Sequence, residues 1–366
     1  MSKILLFCPV YEPYAGGGGQ YFPLLVDNLT KLSRISKLFV FTEWHKEKSV
    51  IENQGKVTIL RIFPKRDNAE NLSRAYSVLT YLFTNLMISI SIALFGWKSN
   101  IVIARYQWPF VLFVLPWLRV LLRFKIFFDL RAVLENVNYL KNIKQADAIF
   151  CNALAVKRQA DKYVNPALPT IHIVNPIDLP KAEAVERAAY DNQNLKCWQE
   201  KKFIFFCGNI HDRKSPIELV HAFLVFLDLV DQDIHLIFAG KNHMGNEFIN
   251  LVRANDKIAF LGPQSRNDCL KLMCLSQLIA LPSKVEGIPR TCLEALSLKK
   301  KVLLPACVDE FLESDKEFCA KDLNPEILGM QLYRIFTSSD RPLYSVEQHE
   351  LSNFEKNYEA LFSRLQ

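Results

Sequence analysis

Two glutamates eight residues apart carry the most chemistry in this sequence. Glu286 and Glu294 lie in Pro282-Ser-Lys-Val-Glu-Gly-Ile-Pro-Arg-Thr-Cys-Leu-Glu-Ala-Leu296, directly after a short apolar run. Gly287 permits a tight turn, and Pro289 suits the first position of a helix running from about residue 289 to 298. A helix start offers free N–H groups and partial positive charge, a natural seat for phosphate. At 1.5 Å per residue the two carboxylates are roughly 8 Å apart along the axis. They could grip hydroxyl groups on either side of a diphosphate through charge-assisted hydrogen bonds. Taken alone, the pair reads equally as a turn glutamate and a solvated helix glutamate, and that plainer reading is the commoner one.

A second segment is Phe203-Ile-Phe-Phe-Cys-Gly208-Asn-Ile-His-Asp-Arg213-Lys214-Ser-Pro-Ile-Glu218. An apolar strand ends at Gly208, and Ser215-Pro-Ile-Glu218 has the form of a capping box. Arg213 and Lys214 therefore stand before a helix start at the carboxyl end of a parallel strand, where ligands of open α/β sheets bind. Adjacent cations there can neutralise a diphosphate leaving group without a metal. A solvated basic loop is the alternative. A third segment spends four of the twelve glycines at once, Gly16, Gly17, Gly18 and Gly19, after the first strand. Such a run lets backbone approach a phosphate or sugar. Its spacing is not the dinucleotide-binding G-x-G-x-x-G.

Together the three segments resemble the family-4 retaining glycosyltransferases of the GT-B fold. That family shows a Gly-rich loop after its first strand, an Arg/Lys pair after the first strand of its second domain, and E-x7-E following P-S-x-x-E-G. The resemblance extends to Ala146-Asp-Ala148, to Val174-Asn-Pro-Ile-Asp178, to Phe238-Ala-Gly240 and to Phe260-Leu-Gly262, and so covers most of the chain. It implies donor binding in the second domain and acceptor binding mainly in the first. Arg213 and Lys214 would hold the diphosphate, Glu294 the ribose, and Glu286 the hexose near its anomeric centre. Backbone of Gly287 and Ile288 would line the sugar-phosphate pocket, which Gly16 to Gly19, Gly208, Gly240 and Gly262 would also border. Many members place a His after a first-domain strand. Here Phe128-Asp-Leu-Arg131 stands there, which puts Asp129 or Arg131 in that role. The family's A-x-G-x-P-V is replaced by Ser297-Leu-Lys-Lys-Lys-Val302, without Gly or Pro. No metal is implied, and transfer would leave the acceptor proton on the departing phosphate.

The elements that must position these residues are short apolar runs alternating with helical stretches. Strands are expected at 4–8, 37–42, 57–62, 101–105, 125–129, 148–151 and 170–174. Five more are expected at 203–207, 235–239, 258–261, 278–281 and 302–304. That alternation means α/β architecture with parallel sheets covered on both faces. Two doubly wound Rossmann-like domains facing across a cleft are expected, 1–178 on the acceptor side and 179–344 on the donor side. A last helix within 345–366 would pack back on the first.

Composition narrows the class. With 366 residues, 50% hydrophobic and 23% charged, the chain is globular and long enough for two cores. The nine cysteines form no CxxC pair or zinc-like spacing, as expected of buried thiols in a reducing compartment. The net charge of +7 is uneven: residues 1–175 hold 22 Lys+Arg against 11 Asp+Glu, the remainder 23 against 27. The basic half should meet something anionic. The 22 uncharged residues 76–97 are long enough to span a membrane, but a stripe of Ser73, Ser77, Thr80, Thr84 and Ser91 predicts a buried or half-buried helix. The aromatic run 108–117 with its basic flank fits a lipid interface or a core helix. The combined expectation is a cytoplasmic enzyme, peripheral on the inner membrane face. It would move a hexose or N-acetylhexosamine from a UDP- or GDP-sugar to a polysaccharide or lipid-linked acceptor. A non-catalytic GT-B-like subunit and a nucleotide-sugar epimerase are the alternatives, and no nucleic-acid motif is present.

Overall fold

The structure is a computed structural model describing residues 2–8, 10–12, 17–64, 74–103, 118–134, 137–141, 143, 146–174 and 176–353. Gly16, the aromatic run 108–117 and the expected last helix beyond residue 353 lie outside the described residues. Two compact units divide the chain, Met1–Ile177 with the segment after Glu350, and Asp178–Glu350.

In the first unit, β1 (Ser2–Phe7), β2 (Ile35–Glu43), β3 (Ile51–Gln54), β4 (Val57–Phe63) and β5 (Ser99–Ile103) are followed by β6 (Lys125–Leu130), β7 (Ala148–Cys151) and β8 (Thr170–His172). They form one sheet in the order β3-β4-β2-β1-β5-β6-β7-β8. Every pairing is parallel except β3 with β4, a hairpin turned at Gly55. The helices are α1 (Gly17–Lys31), α2 (Arg74–Phe95), α3 (Asn138–Lys141) and α4 (Leu154–Tyr163). α1 begins earlier than its apolar periodicity announces, because Gly17, Gly18 and Gly19 form its first turn rather than a loop. Behind them Tyr21, Phe22, Leu25, Val26 and Leu29 make the buried stripe at helical spacing that seats α1 on the sheet. Asp147 fastens two strands: its carboxylate accepts from the Ile126 amide at 2.8 Å and from Arg119 at 2.6 Å.

In the second unit, α5 (Ala182–Arg187) leads to β9 (Lys202–Cys207), α6 (Pro216–Leu229) and β10 (Ile234–Ala239). Then come α7 (Gly245–Arg253), β11 (Ile258–Phe260), α8 (Arg266–Leu275), β12 (Leu278–Ala280) and α9 (Arg290–Ser297). β13 (Val302–Pro305), α10 (Asp309–Ser314), β14 (Cys319–Ala320) and α11 (Pro325–Thr337) close the unit. The sheet order is β11-β10-β9-β12-β13-β14, and its pairings are parallel. The strand order reverses between β9 and β12, and the loops after these two strands lie at the sheet's carboxyl edge, where open α/β sheets bind their ligands.

The phenylalanine surplus fills both cores. Phe7 stacks on Phe41 with ring centroids 4.7 Å apart, and Phe203, Phe205 and Phe206 on β9 are fully buried. The strands therefore read as continuous apolar runs rather than alternating ones, as a sheet covered on both faces requires.

The lysine run after α9 keeps a conformation usually given to glycine. The Lys300 amide donates to Ala295 O at 3.0 Å and the Lys299 amide to Leu296 O at 2.9 Å, the two bonds of a Schellman helix end, with Lys299 at φ 55°. A side chain there costs about 1 kcal/mol of left-handed strain. Lys299 is exposed, so Lys299→Gly removes no packing. That substitution should raise the melting temperature by about 1–3 °C in a calorimetric scan. An unchanged or lower melting temperature would contradict the strain assigned to this residue.

Candidate functional site

The site sits where the strand order of the second unit reverses. β9 ends at Cys207, and a one-turn helix at Asp212–Lys214 delivers Arg213 and Lys214 to the sheet edge. β12 ends at Ala280, and the loop that follows carries Glu286. The two loops are stitched together. Lys214 Nζ lies 2.5 Å from Glu286 Oε1, across 72 positions of sequence. The Lys284 amide donates to Arg213 O at 2.8 Å. Lys284 Nζ reaches Glu218 Oε1 at 2.7 Å and Asp212 Oδ1 at 3.2 Å. The hydrogen bond to Glu218 leads the causes that raise the Lys284 pKa. The Thr291 hydroxyl donates to Cys207 O at 3.0 Å and holds the start of α9 against the end of β9.

The capping box expected at Ser215 is absent. Ser215 adopts φ 52° and ψ 45°, so its hydroxyl cannot meet the amides of the first helical turn, and Glu218 turns to Lys284 instead. The hydroxyls of Ser215 and Ser283 are both buried without a hydrogen-bond partner. A left-handed serine with an orphaned hydroxyl, at the reversal of strand order, is strain of the kind that gathers at functional sites. Arg213 is exposed, and its guanidinium has no ion-pair partner among the described residues. α9 starts one residue later than expected. Pro289 stands outside it with ψ 122°, and among the described residues no side chain caps the helix start.

Glycines shape the floor. Gly208, at φ 157°, carries the Lys214 side chain across it, with Nζ 3.7 Å from where a β-carbon would stand. Gly240 donates its amide to Gly262 O at 2.9 Å.

Glu294 is buried on α9, and what holds it was not legible in the sequence. Arg266 Nε lies 3.1 Å from Glu294 Oε1, and Arg290 lies 3.6 Å from the same oxygen. Arg266 also reaches Asp178, through its carboxylate at 3.2 Å and its carbonyl at 2.6 Å. Burial pulls the Arg290 pKa below its ordinary value. Glu294 is thus a fixed acceptor, gripped from behind by two guanidinium groups. The signal for Arg266 was the helix cap Ser265, whose hydroxyl accepts from the Asp268 amide at 3.0 Å and opens α8 with Arg266 at its first position. Cys207 lies among these groups as an inert thiol: a hydrogen bond with Cys269 and then burial push its pKa well above the usual value.

Asp129 belongs to the first unit, at the carboxyl end of β6. Burial raises its pKa, opposed by Arg131 at 3.4 Å. The Arg131 guanidinium carbon lies over the Tyr21 ring of α1, 3.3 Å from its centroid. Among the four residues expected to act on the reacting groups, Lys214 and Glu286 are in contact, and Arg213 precedes Lys214 on the loop whose backbone is tied to Lys284. Asp129 pairs with Arg131 at the sheet edge beside α1.

Residues 191–313 match the model of the family described as glycosyl transferases group 1. That match covers about a third of the chain, and the two parallel-sheet units have the GT-B fold. The match spans the cation pair, Glu286, Arg266 and Glu294. No curated protein matches the sequence. Solved structures similar to the whole chain include the UDP-forming α,α-trehalose-phosphate synthase of Burkholderia xenovorans in complex with glucose-6-phosphate. It is 14% identical at a TM-score of 0.74, covering 100% of both chains. The E. coli trehalose-6-phosphate structure bound with UDP-2-fluoro glucose is 13% identical at a TM-score of 0.73, covering 100% of this chain and 99% of that one. Anabaena HepE in complex with UDP and glucose is 14% identical at 0.68, covering 100% of both. At these identities the likeness is one of fold.

Proposed function

We propose that the protein is a retaining glycosyltransferase of the family-4 type. It would take a hexose or N-acetylhexosamine from a UDP- or GDP-sugar and place it on a saccharide or lipid-linked acceptor, from the cytoplasmic side. The observation that supports this most is the Lys214–Glu286 contact of 2.5 Å, next to Arg213, which has no ion-pair partner among the described residues, and near the start of α9. A diphosphate entering there would meet two cations and open amides. It would draw Lys214 from Glu286 and free that carboxylate to accept hydrogen bonds from the hexose. Glu294, already oriented by Arg266 and Arg290, would take the ribose hydroxyls. In the transfer, the bond from the anomeric carbon to the phosphate oxygen breaks as the bond to the acceptor oxygen forms on the same face. The acceptor proton passes to the departing phosphate, whose growing charge Arg213 and Lys214 offset. Asp129 and Arg131 would border the acceptor.

A thermal-shift panel of UDP, GDP and their sugars tests the reading. The true donor at about 100-fold its Kd should stabilise the protein by ~2.7 kcal/mol. A flat response to every nucleotide would overturn it.

A further inference from the structure

Helix α2 is built inside out. Thr84, Asn85 and Ser91 are buried against the first unit, while Leu79, Phe83, Leu86, Ile90 and Leu94 stand in solvent, Leu94 at 71% exposure. The buried hydroxyls need no partner from the sheet, because they fold back onto their own helix. Thr84 donates to Thr80 O and Ser91 to Met87 O, each at 2.7 Å. Of the hydroxyl stripe read from the sequence, Thr84 and Ser91 face the protein, and exposed apolar side chains lie on the other side of the helix. The inner face is anchored: Ile88 and Ile92 are fully buried, and Phe95 packs on Phe39 with centroids 4.8 Å apart. The helix therefore lies flat along the sheet.

The outward stripe continues beyond the helix end. Trp97 is 55% exposed, and the Lys98 amide donates to Leu122 O at 2.8 Å, which brings the exposed Val120 and Leu121 alongside. From Leu79 to Trp97 the stripe runs about 27 Å. Scattered exposed leucines need no explanation, but a continuous stripe on a face with no charged side chain does. Its rim is cationic. Lys98 lies over the Trp97 ring, Lys3 Nζ donates to Phe95 O at 3.2 Å, and the exposed Arg123 follows Leu122. No acidic residue occurs on α2, and this half of the chain holds twice as many basic as acidic residues.

We propose that the outward face of α2, with Trp97, Val120 and Leu121, is a docking surface for an anionic lipid bilayer. The helix lies in the interface plane with its apolar side among the acyl chains, and Lys98 and Arg123 meet the headgroup phosphates. A neutral partner would not account for the cationic rim, and a second copy would set one basic rim against another. Among the described residues no helix is long and apolar enough to cross a membrane.

The test is flotation of the full chain, without nucleotide, with phosphatidylcholine vesicles containing about one-third phosphatidylglycerol. Binding is expected at low salt, weakened at least about tenfold on neutral vesicles and in high salt. Leu86→Glu with Leu94→Glu should abolish it. Lys98→Glu with Arg123→Glu should weaken it about tenfold or more. All four side chains are exposed, so the variants should keep the wild-type melting temperature. Absence of binding to anionic vesicles would overturn the proposal. So would a stable dimer in light scattering that Leu86→Glu dissociates, which would assign the face to a second copy. The nucleotide panel is a separate measurement, and either result stands without the other.

Discussion

Lys214→Met should lower kcat for sugar transfer by about 10²–10³ while leaving KM for the donor nearly unchanged. The Lys214 ammonium sits 2.5 Å from Glu286 at the reversal of strand order, resting on Gly208. In the resting protein it balances a carboxylate. In the proposed reaction, with the donor bound, it would face the phosphate oxygen on which charge grows. An interaction that strengthens as the bond breaks acts on the transition state and so appears in kcat. The folding effect should be small. The pair is partly exposed, at 24% and 17%, so solvent screens it and its loss should cost under ~1 kcal/mol. A large loss of rate at an almost constant melting temperature is therefore the signature. Glu286→Gln tests the same contact from the other side. It should also reduce turnover sharply, because Lys214 would keep its charge but the hexose would lose a charged acceptor and face an amide instead. Activity of Lys214→Met within threefold of the wild type would remove the cation pair from the mechanism.

How far the sequence anticipates this site follows from what kind of force places each residue. The strands of both sheets were legible because a fully covered parallel strand must be an unbroken apolar run, as in Phe203-Ile-Phe-Phe of β9. β3 and the two-residue β14 were not legible. Three of the four residues of Ile-Glu-Asn-Gln are charged or polar, and only its antiparallel pairing with β4 makes it a strand. Glu286, Glu294, Arg213 and Lys214 stood out by type and spacing. Arg266 and Lys284 did not, since each acts through a partner distant in sequence, Glu294 at 28 positions and Asp212 at 72. Ser215 misled by a local rule. Its spacing to Glu218 spells a capping box, but the close tie between Arg213 O and Lys284 turns the backbone left-handed at the next junction, and tertiary contact overrides the cap. α2 misled by symmetry. A helical stripe of hydroxyls announces amphipathicity but not which side turns inward, because hydroxyls that bond their own helix can be buried as cheaply as alkyl groups.

Gly240→Ala should be the most damaging single methyl in the second unit. Gly240 follows β10 at φ 149°, and a β-carbon there would stand 1.9 Å from the Gly208 carbonyl oxygen and 2.5 Å from its carbon. Both obstacles are backbone, pinned by the Gly208 amide on Ala239 O at 2.9 Å and by the Ile210 amide on Lys241 O at 2.8 Å. Neither can rotate away as a side chain would. Relief requires prying β9 from β10 where the pairing carries the Lys214 loop. The cost should exceed about 4 kcal/mol, combining a clash with a φ that alanine avoids. For a unit of this size that lowers the melting temperature by ~10 °C or more. Gly262→Ala is the control. Gly262 also has positive φ, at 70°, but open space surrounds its missing β-carbon, so only about 1 kcal/mol of strain is added. Calorimetry of both variants separates collision from backbone preference. If Gly240→Ala melts within a few degrees of Gly262→Ala, the close approach of the two strand ends is not what holds the site's floor together. If it melts far below while whatever remains folded at low temperature still binds nucleotide, the glycine serves the fold, and the cations above it serve the chemistry.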